Sequence, residues 1–242
     1  MSRTNNLKTR IRAGETVVAL RVPVTISRRA LEAGLAGGDF AFLYVDGQHT
    51  PFSEDQLISF CAMAEALDLP VQLRIPHTRH SYLVGRYLDF GPTSVMVPEV
   101  TESATVDEAI NFAYYSPTGM RSWGGAARRQ APAGIEGRRA YADWWNEYVV
   151  LVIQLESVQA ISNARHLAVP GVDAVAFGPN DLEFSLEAHP NFPLRTVDDC
   201  MRDVAAQLAG TGVRLSMAVP TLPEEREKFL AMGVTIFQEL PR

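Results

Sequence analysis

Several polar residues of reactive type stand at the downstream edges of apolar runs in this chain. FAFLYVD runs into Asp46-Gly47-Gln48-His49, VQLRI carries Arg74 near its end, VVLVIQL runs into Gln154-Leu155-Glu156, and DAVAFG runs into Pro179-Asn180-Asp181. Glu156 and Asp181 are hard oxygen ligands. Together with waters and a chelating substrate they would suit an octahedral Mg2+, Mn2+ or Co2+ ion, the alternative being a salt-bridged rim. A 2-oxo acid can chelate such an ion through its keto and carboxylate oxygens, and the ion then stabilises an enolate. His49 carries an imidazole, which can take and return a proton, and Asp46 three residues earlier could orient it; a plain surface histidine is the competing reading. Arg74 could hold the keto oxygen and offset developing negative charge, or form a structural ion pair with Asp89. Lys8 and Lys228 are the only lysines and neither ends an apolar run, which speaks against Schiff-base chemistry.

Positioning these residues falls to the runs themselves. Eight are expected as strands: 17–22, 40–46, 71–75, 94–98, 149–155, 173–178, 213–219 and 234–239. Each is nearly continuous in apolar residues, as in strands covered on both faces of a parallel sheet. Helical spacing recurs between them, at 26–36, 53–67, 79–89, 101–114, 137–147, 157–168, 196–209 and 222–232. Strand–helix alternation of this count, over 242 residues taken as a single domain, fits a (β/α)8 TIM barrel. It fits an open doubly wound sheet less well, since no GxGxxG or GxxxxGK[ST] is present. In such a barrel the chemistry gathers at the carboxyl ends of the strands, where the residues named above fall. After the last run only a few residues remain, so its covering helix is expected to be missing and a partner subunit could supply cover. The Gly- and Pro-rich stretch 115–136 reads as a long functional or mobile loop. Cys61 and Cys200 read as core thiols, and Trp144 and Trp145 as core or interface packing.

Composition removes other classes of function. Hydrophobic residues make up 47% and charged residues 21%, enough apolar content to bury a full core. The net charge of −6 and the lack of a dense Lys/Arg cluster argue against nucleic acid and anionic lipid as partners. No stretch has the length of a membrane span or the apolar core of a signal peptide, so a soluble, cytoplasmic protein is expected.

The motifs NNLKTRIRAGE, FAFLYVDGQHTPFS, LRIP, LDFGPTSVMVPEV, SPTGMRSWGG, IQLES and GVDAVAFGPNDLE occur in that order. The chain thereby resembles the HpcH/HpaI aldolases, class II pyruvate aldolases of the phosphoenolpyruvate/pyruvate barrel superfamily, from residue 5 to about residue 240. The resemblance implies that Glu156 and Asp181 are metal ligands, that His49 with Asp46 forms the catalytic base pair, and that Arg74 stabilises the enolate. It further implies that Gln154, with backbone amides at Asn180 and Asp181, holds the substrate carboxylate, and that Asp89 is a catalytic-set aspartate near a subunit boundary. The implied reaction is divalent-metal-dependent cleavage of a 4-hydroxy-2-oxo acid to pyruvate and an aldehyde, in a homo-oligomer, either a hexamer or a dimer. Gln48 stands where glutamate is frequent, Glu183 where serine is common, and Pro92 where a small residue is usual. Decarboxylation of oxaloacetate through the same enolate, as in the macrophomate synthase branch, and a barrel without catalysis are the competing functions.

Overall fold

Each of the expected strands forms, and together they close into one barrel. In chain order they are β1 (Val17–Arg21), β2 (Phe42–Asp46), β3 (Val71–Arg74), β4 (Ser94–Val97), β5 (Val150–Leu155), β6 (Ala174–Phe177), β7 (Arg214–Pro220) and β8 (Val234–Glu239). All neighbours are parallel, and β8 pairs with β1 to complete the ring, which makes the chain a (β/α)8 TIM barrel. The computed structural model describes residues 6–124 and 131–242, so residues 125–130 of the Gly- and Pro-rich stretch lie outside the described part.

The connecting helices follow the expected segments, some of them with local breaks. They are α2 (Arg28–Leu35), α3 (Glu54–Glu65), α4 (Val84–Asp89), α5 (Ser103–Ala113), α6 (Gly137–Asn146), α7 (Val158–Ser162), α8 (Ala164–Leu167), α10 (Val197–Gln207) and α11 (Arg226–Leu230). The expected helix at 79–89 is half 3-10 turn, from Thr78 to Leu83, before α4 begins. The one at 157–168 divides at Asn163, where the Ser162 hydroxyl bonds back to the Val158 carbonyl. Side-chain caps set several starts: Ser53 and Gln56 form a capping box on α3, and Thr196 and Asp199 form one on α10. Two helices were not expected from the sequence, α1 (Leu7–Ala13) and α9 (Pro179–Ala188). No helix follows β8; Pro241 instead lies near Gly34 of α2. Among the described residues, no helix is long and apolar enough to cross a membrane.

The core has an outer layer between strands and helices and a separate inner column. Val17 and Ala19 of β1, Phe42 and Tyr44 of β2, and Val150 and Val152 of β5 point into the column, as the two-residue period of a strand requires. Continuing each series by two residues brings Arg21, Asp46 and Gln154 to its open end. The other end is closed by α1, whose Leu7 and Ile11 join the column. Lys8, on the same helix, is 1% exposed and bonds through Nζ to the Val149 carbonyl at 2.7 Å, the Asn146 carbonyl at 3.1 Å, Tyr114 Oη at 3.1 Å and Asp173 Oδ2 at 3.2 Å. Burial lowers its pKa, against the opposing pull of Asp173. Cys61 and Cys200 are both buried, and burial pushes the Cys200 thiol up to about 11. Trp144 and Trp145 are buried in an aromatic group with Tyr141 and Tyr148.

Candidate active site

The open end of the column gathers charged and polar side chains from adjacent strands. Asp46 and Arg74 are register partners on β2 and β3. Arg74 grips the carboxylate with two arms, Nε to Oδ1 at 2.8 Å and Nη2 to Oδ2 at 2.5 Å. A second guanidinium, Arg21 from β1, donates Nη2 to Oδ2 at 2.6 Å. Oδ1 also accepts from the backbone amides of Gln48 at 3.0 Å and His49 at 3.4 Å, which fixes the turn that follows β2. Burial alone would raise the Asp46 pKa, but the hydrogen bond and charge of Arg74, with Arg21, hold it below the ordinary value. The same turn needs glycine at 47, because a Cβ there would lie 2.7 Å from the Arg74 carbonyl oxygen.

From Arg74 the network continues across the mouth. Nη1 donates to Gln154 Oε1 at 3.3 Å, and Gln154 Nε2 donates to Glu156 Oε2 in a short bond. Glu156 Oε1 accepts from the backbone amide of Glu99 at 3.0 Å. Glu99 follows β4 with φ at 51°, left-handed for a non-glycine residue, and its side chain accepts from Gln48 Nε2 at 3.0 Å. Gln48, itself uncharged, is thus bonded to an acid from another turn. Glu156 is 7% exposed, and burial, then the charges of Asp181 and Glu99, push its pKa up to about 7. Gly178 makes room for it, since a Cβ there would collide with Glu156 Oε2 and Gln154 Nε2.

Asp181 sits in the first turn of α9, beside Asn180, and both are exposed. That helix was missed at the sequence level because only Leu182 of its ten residues is buried, leaving no apolar stripe to read. The helix begins directly after β6, and first-turn amides of a helix have no acceptor within it. Among the described residues, no group of three or more His, Cys, Asp or Glu side chains is arranged to hold a metal ion by itself.

The structure therefore brings Asp46, Arg74, Gln154 and Glu156 into one bonded chain, with Asp181 close enough for its charge to act on Glu156. It departs from two pairings considered above. Asp46 meets His49 through the backbone amide, not the ring, because its two oxygens are taken by guanidiniums and by its own turn. Arg74 pairs with Asp46 and not with Asp89; Asp89, at the far end of α4, accepts from Arg121 Nη2 at 2.7 Å. The His49 ring lies exposed on the turn after β2. Arg21 and Glu99 were not singled out from sequence. Arg21 had a signal, being the one charged residue in VVALRV and in phase with the inward Val17 and Ala19; nothing local marked Glu99.

Comparison with known proteins gives this arrangement a context. The family model for HpcH/HpaI aldolase/citrate lyase matches residues 30–239. Hydroxypyruvate/pyruvate aldolase of Agrobacterium fabrum is 33% identical over 180 residues, 74% of this chain and 65% of that protein; the match thus spans just under two thirds of that relative. 2-Keto-3-deoxy-L-rhamnonate aldolase of Salmonella dublin is 30% identical over 96% of this chain and 87% of its own. A crystal structure of an HpcH/HpaI aldolase from Desulfitobacterium hafniense superposes with a TM-score of 0.80 at 23% identity, covering 97% of this chain and 90% of that one, a likeness of fold. The chain belongs to the HpcH/HpaI aldolase/citrate lyase family of carbon–carbon lyases.

Proposed function

We propose that the protein is a divalent-metal-dependent aldolase that cleaves 4-hydroxy-2-oxo acids to pyruvate and an aldehyde. The observation that carries this reading is the bonded chain from Asp46 through Arg74 and Gln154 to Glu156, ending beside Asp181. The donor set suits a hard cation. Glu156 and Asp181 are close enough to raise the Glu156 pKa, and a cation between them would relieve that repulsion. Gly178 leaves the space in which the Glu156 carboxylate lies. When bound there, Mg2+, Mn2+ or Co2+ would supply Lewis-acid stabilisation of negative charge on the 2-oxo acid.

The remaining steps fall to side chains. The amides at the start of α9, with Gln154, receive the substrate carboxylate. Arg74, held by Asp46 at a fixed angle, directs its guanidinium at the keto oxygen and gains interaction energy as that oxygen becomes anionic. His49 takes the proton of the C4 hydroxyl. The C3–C4 bond then breaks, C4 leaves as the aldehyde carbonyl, and the electron pair of the bond becomes the enolate of pyruvate. Return of a proton to C3 gives pyruvate, so atoms and charge balance.

The test is to remove metal with chelator, restore Mg2+, Mn2+ or Co2+, and follow pyruvate release from 4-hydroxy-2-oxo acids and from oxaloacetate. Metal-dependent cleavage is expected, with a loss of roughly a hundredfold or more in kcat for His49→Ala and abolished metal response for Glu156→Ala. Preference for oxaloacetate would replace the aldolase reading with a decarboxylase, and metal binding without turnover would point to a barrel without catalysis.

A further inference from the structure

We propose that Glu99 is a positioning residue: it fastens the turn that carries His49 to the end of β5 that carries Gln154 and Glu156. This role rests on the aldolase reading above and sets how the base stands relative to the carboxylate end of the site.

The backbone of Glu99 is anchored first. Its amide donates to Glu156 Oε1 at 3.0 Å, and the next amide, that of Val100, donates to the Gln154 carbonyl at 3.0 Å. Both bonds are made with φ of 51° at Glu99, a left-handed conformation that a residue with a Cβ adopts at a cost. From that anchored backbone the side chain reaches the turn after β2, where Oε1 accepts from Gln48 Nε2 at 3.0 Å. The bond joins the turns of two strands that are not neighbours, β2 and β4, with β3 between them. A carboxylate only accepts, so the Gln48 amide must present its nitrogen; its oxygen is left buried without a donor among the described residues.

The same turn is held at its root by Asp46 Oδ1, which accepts from the backbone amides of Gln48 and His49. The His49 ring is exposed and has no hydrogen bond among the described residues, so its place is set by the turn that carries it. A general base works only within hydrogen-bond reach of the proton it takes, and a small drift of that turn is felt in the chemical step. The Gln48–Glu99 bond itself is exposed to solvent, where one hydrogen bond adds little to stability. Its effect belongs to geometry rather than to folding.

Substitutions separate the tie from the charge and from the fold. Glu99→Gln removes the charge and keeps an acceptor for Gln48. Glu99→Gly removes charge and acceptor, keeps the amide that serves Glu156, and adopts a positive φ without strain, so it should melt within a few degrees of wild type. Gln48→Glu sets two carboxylates against each other, and adding Glu99→Gln to it restores one donor and one acceptor with the direction reversed. In the metal-loaded enzyme, kcat for pyruvate release should fall roughly tenfold in Glu99→Gly and in Gln48→Glu, with KM within about twofold of wild type. It should return to near the wild-type value in Glu99→Gln and in the double variant. Divalent-cation affinity, measured by titration calorimetry, should be equal in Glu99→Gln and Glu99→Gly, which share the lost charge and the retained Glu156 contact. Hydrogen exchange over residues 46–52 of the metal-free protein should be faster in Glu99→Gly than in wild type or Glu99→Gln, a readout independent of turnover. Equal kcat or equal exchange in Glu99→Gly and Glu99→Gln, or losses that simply add in the double variant, overturn the proposal. Wild type that releases no pyruvate from any 4-hydroxy-2-oxo acid overturns the aldolase reading and, with it, the role of Glu99 in catalysis, whatever the exchange shows.

Discussion

Glu156 is the residue where stability and proposed function pull apart. Burial beside Asp181 and Glu99 raises its folded pKa from 4.5 to about 7. A carboxyl whose pKa is raised by folding favours the fold when protonated, so its penalty is absent below pH ~4.5 and grows until pH ~7. Above that the penalty is constant, on the order of 3 kcal/mol for a shift of this size. Metal-free protein should therefore melt at a lower temperature as pH rises from about 5 to about 7.5, and Glu156→Gln should flatten that fall. Added divalent cation should raise the melting temperature of wild type at pH ~7.5 and leave the variant unchanged. Melts of both proteins across this range, with and without cation, decide the matter: parallel pH profiles would show that Glu156 carries no such penalty.

The turns after the strands are the elements that convert sequence order into a site, and two glycines do so in different ways. At Gly47 an added Cβ meets backbone, the Arg74 carbonyl oxygen at 2.7 Å. At Gly178 it meets side chains, Glu156 and Gln154. Gly47→Ala is thus expected to destabilise the fold by roughly 2–3 kcal/mol, because the β2 and β3 turns must separate. Gly178→Ala should cost less stability, as Glu156 can swing aside, and should instead weaken divalent-cation binding. Chemical denaturation paired with cation titration calorimetry separates the two, and equal stability losses with unchanged cation affinity would refute the distinction. Much of this scale was legible in the sequence: doubly covered parallel strands leave unbroken apolar runs, and the polar residues ending them marked Asp46, Arg74, Gln154 and Glu156. Partner choice was not legible. Asp46 and Asp89 were both available to Arg74, and only the β2–β3 register makes Asp46 its neighbour. The exposed helix α9 escaped because one of its ten positions is buried, and α1 because seven residues, with a lysine among the three buried ones, are too short to print a period.

Over the whole molecule, the barrel keeps two clusters of buried charge apart with layers of apolar side chains between them. The open end holds the Asp46–Arg74–Glu156 network; the closed end holds Lys8 and Asp173, each with a side chain 1% exposed. The closed cluster ties α1 to the ring, since Asp173 also accepts from the Leu151 amide at 3.0 Å and from Arg12 Nε at 3.2 Å. Lys8→Ala should cost roughly 3–5 kcal/mol, the usual penalty for leaving a buried charge without its partner, at the lower end because Arg12 remains. Lys8→Met combined with Asp173→Asn should recover part of that loss, and the shortfall from additivity measures the pairing. Pyruvate release per folded molecule, assayed below the variant's melting range, should stay within about twofold of wild type, because no hydrogen bond links the two clusters among the described residues. The same assay bears on the chemistry. A buried lysine with a lowered pKa is also what an imine-forming aldolase uses. If Lys8→Ala kept its stability and lost turnover, the lysine would be the reactive group and the metal-dependent reading would fall; lost stability with retained turnover leaves Lys8 as the anchor of α1 and the carboxylate end as the place of reaction.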